Sequence, residues 1–333
     1  MINIAMLSCA HIHTRGYASD IAKRENCRLA AIWDDVPDRG RRYAGEFKSE
    51  FLPDLEAVLA RQDIDGFVIC AENTRHLPLL KAAIPVRKPI FCEKPFTTAS
   101  ADAAEAMRLI RKHGTVVHMG YGMPFGTKMQ GLKRLLVEGA LGTLTHARVR
   151  SAHNAAYGRW FDSPDLAWFT DPALSGGGAF MDLGTHAVHA VRSLLGPVVK
   201  VFATIANKSG AYPNVDDYGL AVLQFLTGVT CTVEASWVQN GGIGGMEICG
   251  GKGSAYNDPK LGLVYSVPKQ DPQPVPDAPA RPTGVARLVA AIEGQLTRDE
   301  VDADLICSAD AVAIMEACYE SSRTGQWAGV PRI

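Results

Sequence analysis

Short apolar runs alternate with helix-like segments over residues 1–120, and this alternation limits the fold more than any other feature of the chain. The segment from Ser100 to His113, for example, places Ala103, Met107 and Ile110 on one helical face. The apolar runs between such segments are 2–7, 28–33, 64–71, 89–92 and 116–119. Strands that alternate with helices in this way form a parallel, doubly wound sheet. The sequence therefore predicts an α/β fold.

Charged and polar residues occupy the positions just after several of these strands. Asp34 follows the second run, Glu72 and Asn73 follow the third, and Glu93 and Lys94 follow the fourth. Ligands of doubly wound sheets bind at the carboxyl ends of the strands. Asp34 falls where a dinucleotide-binding domain carries the carboxylate that accepts hydrogen bonds from the adenosine ribose, which favours NAD, with NADP as the alternative. Residues 1–120 are therefore predicted to be an NAD(P)-binding Rossmann domain.

The turn after the first strand departs from the G-x-G-x-x-G sequence of dinucleotide-binding domains. Ser8, Ala10 and His13 stand where the glycines are expected. Ser8 and Ala10 are small enough to let a pyrophosphate approach, whereas His13 must point away from the cofactor or touch it. His11 and His13 also form an H-x-H pair, which is typical of metal-dependent amidohydrolases built as α/β barrels. Because no barrel repeat follows, a metallohydrolase is kept only as an alternative, and no metal site is predicted.

From residue 121 the pattern changes to consecutive strands. After a predicted helix at 128–138, strands are predicted at 143–153, 198–207, 218–226, 229–238, 246–249 and 263–267. Thr227 and Gly228 form a tight hairpin turn between two of them. Helices at 285–295 and 303–324 end the chain. Residues 121–333 are therefore predicted to form an α+β domain with a large, mostly antiparallel open sheet.

A run of three glycines, Gly176 to Gly178, leads into a helix-like segment that carries Asp182 and His186. Residues four apart lie on one face of a helix, so this carboxylate and imidazole point the same way. The glycines are expected to leave clearance for a ligand, since they let the backbone approach it closely. The pair suits acid–base chemistry, and the alternative is a capped core helix with a buried histidine.

The net charge and the positions of the cysteines limit the kinds of function that the chain is expected to have. A formal net charge of -1, with no basic run, lacks the electrostatic pattern of nucleic-acid or membrane-surface binding. The eight cysteines show no metal-ligand or redox spacing and are expected to be reduced and buried. The amino terminus has neither a basic segment nor an apolar segment of signal-peptide type, so a cytoplasmic location is expected.

Several short motifs follow one another along the chain. They are A-E-N-T-R-H at 71–76, E-K-P at 93–95, S-G-G-G at 175–178, D-x-G-x-H at 182–186 and G-G-K-G-S at 250–254. In this order they make the chain resemble, over nearly its whole length, the glucose-fructose oxidoreductase / inositol 2-dehydrogenase / rhizopine catabolism (GFO/IDH/MocA) family of nicotinamide-dependent sugar oxidoreductases. The altered glycine pattern departs from that family, and Gly120-Tyr121-Gly122 lacks the asparagine and arginine that many members carry near the substrate.

The resemblance implies roles for individual residues. Lys94, Asp182 and His186 are the implied catalytic set, with His186 as the general base and Lys94 stabilising the alkoxide. Substrate contacts are expected at Tyr121, Trp168 and His189, although packing on a helix face is the favoured alternative for His189. The implied cofactor-binding residues are Ser8, Ala10, His11, Ile12, His13, Asp34, Ala71, Glu72, Asn73, His76, Glu93 and Lys94.

The implied function is hydride transfer between the nicotinamide ring and a secondary hydroxyl of a sugar, polyol or cyclitol. One alternative with the same fold is a glycosidase or lyase that oxidises its substrate transiently, and a further alternative is a noncatalytic sugar sensor. The family also uses the second sheet for subunit contacts, so a homodimer or homotetramer is expected.

Overall fold

The computed structural model describes residues 1–333 and contains two β-sheets, of which the first is parallel. Its strand order is β3-β2-β1-β4-β5-β6, the order of a dinucleotide-binding domain. The strands are β1 (Ile2–Leu7), β2 (Cys27–Trp33), β3 (Glu50–Phe51), β4 (Gly66–Ile69), β5 (Ile90–Cys92) and β6 (Val117–Met119). The helices are α1 (Thr14–Lys23), α2 (Pro37–Phe47), α3 (Leu55–Leu59), α4 (His76–Ala83) and α5 (Ser100–His113). The predicted Rossmann fold is confirmed.

The apolar strands of this sheet are buried on both faces, as parallel strands must be. One core cluster contains Leu7, Ile69 and Val117, and a second contains Met6 and Val68 from the same strands. Neighbouring residues of a strand point to opposite faces, so each continuous apolar run supplies both clusters. The metallohydrolase barrel is excluded, since the sheet is open rather than closed into an eight-stranded barrel.

The second sheet has nine strands in the order β14-β13-β12-β11-β7-β10-β9-β8-β15. Its strands are β7 (Leu144–Ala152), β8 (Val198–Ala206), β9 (Tyr218–Phe225), β10 (Thr230–Ser236), β11 (Gly245–Gly250), β12 (Gly253–Asp258), β13 (Gly262–Ser266), β14 (Gln273–Pro274) and β15 (Ala328–Gly329). Only β7 and β10 pair in parallel, and every other pair is antiparallel. The prediction of a mostly antiparallel sheet is confirmed.

The helices of the second half of the chain are α6 (Thr127–Val137), α7 (Pro172–Ser175), α8 (Thr185–Leu195), α9 (Gly284–Ile292) and α10 (Arg298–Thr324), with a π-helical turn at Phe180–Gly184 before α8. Of these, α6, α8 and α10 contribute to the core cluster on one face of the second sheet. Burial alternates residue by residue along β9, so every second side chain packs under α8 and α10. The sequence did not predict β12, since its glycine and its asparagine–aspartate pair resemble turns. Pairing with β11 and β13 makes it a strand.

The last helices also complete the core of the first domain. Val285 and Leu288 of α9 join Ile4 and Phe91 in one cluster of the parallel sheet. Leu305 and other residues of α10 join the cluster on the opposite face. The division at residues 120 and 121 stays a prediction, but the parallel sheet is covered in part by residues that come after it.

Two properties of the whole chain bear on the sequence predictions. All eight cysteines are unpaired, and all except Cys249 are buried, as expected. No helix combines the length and the apolar character needed to cross a lipid bilayer.

The three glycines before the π-helical turn pack against protein atoms rather than leaving room for a ligand. A Cβ atom on Gly176 would lie 2.5 Å from Thr98, and one on Gly177 would lie 2.3 Å from the Tyr319 hydroxyl. A Cβ on Gly178 would lie 1.8 Å from a main-chain oxygen of Asp216. The expectation of clearance for substrate was therefore wrong. These glycines let the segment before Asp182 lie directly on the second domain and on the loop that contains Thr98.

Replacing Gly178 with alanine tests this close packing. Because the clash is with main chain, we expect Gly178→Ala to lower the free energy of unfolding by about 3 kcal/mol or more. Gly45→Ala is the matched control, since a Cβ there meets no atom within 4 Å and the residue lies inside α2. Urea denaturation of both variants measures the effect, and equal stability of the two would contradict the packing role.

Candidate active site

An ion pair joins the two domains where β5 of the first sheet faces the start of α8. Nζ of Lys94 donates to Oδ1 of Asp182 at 2.7 Å and to its main-chain oxygen at 3.3 Å. Lys94 lies two residues after the end of β5. Asp182 lies in the π-helical turn, a rare conformation that occurs often at functional sites. The structure thus brings together two members of the predicted catalytic set that are 88 residues apart in sequence.

The Asp182 carboxylate is fixed on both oxygens. Its Oδ2 accepts a hydrogen bond of 3.0 Å from the indole N–H of Trp237, which follows β10 and is fully buried. Burial alone would raise the pKa of Asp182, but the Lys94 ammonium holds it below its usual range. The carboxylate therefore stays ionised at neutral pH and holds the Lys94 side chain in place through the ion pair.

His186, the third predicted catalytic residue, lies one turn further along α8 and is partly buried. Its ring meets the ring of Tyr121 edge-on, with the centroids 5.9 Å apart. Burial first, and then the Lys94 ammonium, lower the pKa of His186 to about 3. The imidazole is therefore uncharged at neutral pH and has a lone pair available to accept a proton.

A further histidine lies near this set and was not predicted. His153 follows β7, and its ring stacks on Trp160 at a centroid distance of 4.7 Å. Burial lowers the pKa of His153. The charge of Asp182 acts against this shift, and that of Lys94 adds to it. The sequence signal was weak, because a single histidine after an alternating strand resembles a surface residue.

Glu93, next to Lys94, is fully buried and lies at the centre of a separate hydrogen-bond network. Tyr17 donates its hydroxyl to Oε1 at 2.6 Å, and Nδ1 of His13 lies 2.8 Å from the same oxygen. The main-chain N–H of Lys94 donates to Oε2 at 2.8 Å. Burial alone would raise the pKa of Glu93, but the imidazoles of His11 and His13 hold it well below its usual value. Glu93 anchors His13 beside Lys94.

The turn between β1 and α1 has a backbone suited to a dinucleotide despite its missing glycines. Ser8 has a φ of 70°, in the left-handed region that favours glycine, so it replaces the first glycine in conformation as well as in position. Ile12, at the amino end of α1, is 46% exposed, and a cavity of about 280 Å³ opens beside it. A helix amino terminus next to an open cavity suits a pyrophosphate. These residues fit the predicted cofactor.

The ribose-binding role predicted for Asp34 does not agree with its surroundings. Both carboxylate oxygens bond to Nε of Arg39, and they also accept from the main-chain N–H groups of Cys9 and Val36 at 2.7 Å. The residue is buried, and these donors already engage its oxygens, so its role as a ribose ligand stays a prediction. Asp35, which is more exposed and pairs with Arg39, is the carboxylate nearer to solvent at this strand end.

Four other predicted cofactor residues, Ala71, Glu72, Asn73 and His76, are buried. The two ring nitrogens of His76 lie 2.6 Å from the main-chain oxygen of Pro95 and 3.3 Å from that of Ala71. The amide of Asn73 donates to the main-chain oxygen of Ser175 at 2.8 Å. His76 and Asn73 therefore hold the strand ends and the second domain in place.

The three predicted substrate residues are also buried. Tyr121 donates to or accepts from Thr185 at 2.7 Å and stacks on His189 at a centroid distance of 3.9 Å. Trp168 donates its indole N–H to the main-chain oxygen of Ala10 at 3.0 Å. Substrate contact by Tyr121, Trp168 and His189 does not agree with this burial. Tyr121 and His189 pack behind the candidate catalytic residue His186, and Trp168 fixes the turn between β1 and α1 to the second domain.

Comparison with known proteins agrees with this geometry. Residues 2–121 match the oxidoreductase family with an NAD-binding Rossmann fold, and residues 129–256 match the GFO/IDH/MocA C-terminal domain. The chain belongs to the GFO/IDH/MocA oxidoreductase family. As a member of that family it is an NAD-binding oxidoreductase, and the two matched regions coincide with the parallel sheet and with much of the second domain.

Two curated relatives of this chain are named for different reactions. It is 27% identical over 212 residues to inositol 2-dehydrogenase of Acidothermus cellulolyticus, covering 62% of this chain and 58% of the relative. It is 26% identical over 208 residues to 2,7-anhydro-N-acetylneuraminate hydratase of Mediterraneibacter gnavus, covering 61% and 53%. The match thus spans little more than half the length of each relative.

A solved structure of levoglucosan dehydrogenase in complex with NADH shares the fold over the full length. It superimposes with a TM-score of 0.82 at 20% identity, covering 100% of both chains. At this identity the likeness extends to the arrangement of the two domains and to nothing finer.

The buried histidines predict a loss of stability in acid. The pKa values of His118, His186 and His189 are each lowered to about 3, mainly by burial, whereas an unfolded histidine titrates near 6.5. Between these values the unfolded chain binds more protons than the folded protein. Stability is therefore complete above pH 6.5 and falls as the pH drops towards 3.

Replacing His189 with phenylalanine should weaken this pH dependence, because the ring stack on Tyr121 is kept while one titrating group is removed. We expect the slope of unfolding free energy against pH to decrease by up to roughly 1.4 kcal/mol per pH unit within that window. Urea denaturation at pH 7, 5.5 and 4.5 measures it. His146→Asn, at an exposed position on β7, is the control. An unchanged slope for His189→Phe would contradict the assignment.

Proposed function

We propose that this protein is an NAD-dependent dehydrogenase that oxidises a secondary hydroxyl of a sugar, polyol or cyclitol. The observation that carries the proposal is the ion pair of 2.7 Å between Lys94 and Asp182, next to the uncharged His186. Inositol 2-dehydrogenase and levoglucosan dehydrogenase, to which the chain is similar, are named for substrates of this class.

Lys94 and His186 have different roles at the substrate oxygen. The Lys94 ammonium donates a hydrogen bond to that oxygen and stabilises the negative charge that develops when the hydroxyl proton leaves. Asp182 holds Lys94 in position through their ion pair, and Trp237 keeps Asp182 oriented. His186 accepts the hydroxyl proton, since it is uncharged at neutral pH. The bound nicotinamide accepts the hydride from the same carbon.

The surroundings of Asp34 support NAD over NADP. Asp34, Asp35 and Glu72 lie together at the ends of β2 and β4, and Arg39 pairs with all three. Arg75 pairs with Asp35 and Glu72. Three carboxylates against two guanidinium groups leave a net negative charge, and both arginines are already engaged. A ribose 2′-phosphate placed here meets repulsion with no free arginine to bind it.

The assay for this proposal mixes the purified protein with NAD or NADP and a panel of sugars, polyols and cyclitols, and follows absorbance of the reduced cofactor. We expect reduction of NAD with at least one of these alcohols and a higher KM for NADP. His186→Ala should lower kcat by about 100-fold to 10,000-fold, the usual contribution of a positioned base. Lys94→Ala should lower kcat by at least about 100-fold.

Control variants separate catalysis from folding in this assay. Removing Lys94 leaves a buried carboxylate without its partner, so circular dichroism must first show that Lys94→Ala is folded. Lys112→Ala, at an exposed position on α5, should keep full activity. Full activity of His186→Ala would refute its role as the base.

The similarity to a hydratase supports a second candidate, in which oxidation is transient and the cofactor is regenerated within each cycle. Such an enzyme converts its substrate with catalytic amounts of NAD and accumulates no NADH. If no alcohol yields NADH but a glycoside or anhydrosugar is cleaved or hydrated only when NAD is present, the dehydrogenase proposal fails in favour of this one.

The outer face of the second sheet supports the proposal of a homodimer or homotetramer. A row of directly paired residues crosses this face: Phe202, Val222, Thr232, Arg148, Glu247 and Tyr256. The side chains alternate with those that pack under the helices, so they point away from the core. Paired antiparallel strands with one uncovered face suit contact with a second copy.

A charge at the centre of this row tests the subunit contact. We expect Val222→Arg to convert the oligomer into monomers, because it buries an unpaired charge in the interface. Val137→Arg, at the end of α6 and 82% exposed, should leave assembly unchanged. Sedimentation velocity of the three proteins measures the outcome, and an oligomer that survives Val222→Arg would contradict contact through this face.

A further inference from the structure

Three side chains of the types that bind metal ions lie together beside the proposed active site. The proposed reaction gives this cluster no role. A ring nitrogen of His11, a ring nitrogen of His13 and a carboxylate oxygen of Glu93 all lie within 4.8 Å of one another. They come from the turn before α1 and from the end of β5, which meet at the carboxyl edge of the parallel sheet. We propose that His11, His13 and Glu93 bind a divalent cation of the zinc type.

The ligand set selects the class of cation. Two imidazoles and one carboxylate suit Zn²⁺ and similar transition ions, whereas Mg²⁺ and Ca²⁺ prefer oxygen ligands. In a tetrahedral zinc site, bonds of roughly 2.0–2.2 Å place the ligand atoms roughly 3.3 Å apart. The side chain of His13 is 45% exposed, so it has room to adjust towards this geometry. Three protein ligands leave the fourth position open.

The ring of His11 gives a second, independent indication of a ligand. His11 is buried, and its Nε2 has no hydrogen-bond partner. Its ring lies 4.6 Å from that of His13 and 5.9 Å from that of Trp168. A buried imidazole nitrogen left without a partner is unfavourable. A cation bound at Nε2 would supply the missing interaction; Nδ1 would then carry the ring proton and give up the hydrogen bond of 3.2 Å that it accepts from the main-chain N–H of His13.

The remaining contacts hold the carboxylate in place for coordination. Tyr17 donates to Oε1 of Glu93, and the main-chain N–H of Lys94 donates to Oε2. Outer hydrogen bonds of this kind orient metal ligands and strengthen binding. The exposed edge of His13 gives the ion a path from solvent.

The cluster also accounts for the residue at position 13. A dinucleotide-binding turn normally has glycine there, and glycine supplies no ligand. The sequence predicted no metal site because H-x-H is associated with a barrel fold, but the structure supplies the third ligand from a strand 80 residues away. The inference concerns cation binding by the free protein and is independent of the dehydrogenase proposal.

The test uses full-length protein without a histidine tag, treated with a chelator and then dialysed, with no NAD or sugar present. Zn²⁺ is titrated by calorimetry, and Co²⁺ by its visible absorption, which reports coordination number and nitrogen ligands. We expect one cation per chain and a four-coordinate or five-coordinate Co²⁺ spectrum. His13→Gly should weaken binding by at least roughly 100-fold, since loss of a direct ligand exceeds loss of an outer-sphere partner.

His146→Ala is the matched control, since His146 is exposed on β7 and should leave cation affinity unchanged. Glu93→Gln keeps the size of the side chain but removes its charge, and should also weaken binding. Because Glu93 is buried, the result for Glu93→Gln is used only if the circular dichroism spectrum of this variant is native. If it is not, the result for His13→Gly, at a half-exposed position, decides whether the cluster binds Zn²⁺. The proposal is overturned if Zn²⁺ binding is not saturable or if His13→Gly binds Zn²⁺ as tightly as the unaltered protein.

Discussion

The ion pair between Lys94 and Asp182 is the contact on which the active site depends. Both groups are largely buried, so water screens their attraction weakly, and removing either partner would leave an uncompensated charge inside the protein. Each group is attached to a rigid element, Lys94 to β5 and Asp182 to the turn before α8. The pair therefore fixes the distance between the two domains as well as the charge next to His186.

Much of the fold is predictable from sequence because its two sheets leave different patterns. Continuous apolar runs with intervening helices indicate a parallel sheet, and alternating strands without helices indicate the antiparallel one. The four-residue spacing of Asp182 and His186 likewise places them together without further information. The strand β12 was not predicted, since only its pairing with β11 and β13 defines it.

The parts of the site that sequence could not supply depend on contacts between distant residues. Trp237 reaches Asp182 across 55 positions, and Tyr17 reaches Glu93 across 76. Sequence motifs also do not tell which way a side chain points. The glycines before Asp182 face protein atoms, and Tyr121 faces the back of α8, although both occur in motifs that suggest ligand contact. Burial of Asp34 by Arg39 depends on how α2 lies against β2.

The packing of α9 and α10 against the parallel sheet has a consequence for biosynthesis. The ribosome makes the six strands of the first sheet long before it makes Val285, Leu288 and Leu305, which cover that sheet from both sides. Until these residues have been translated, the nascent first domain exposes apolar surface, and such surface promotes aggregation. The core of the first domain is therefore completed only after most of the second domain has been made.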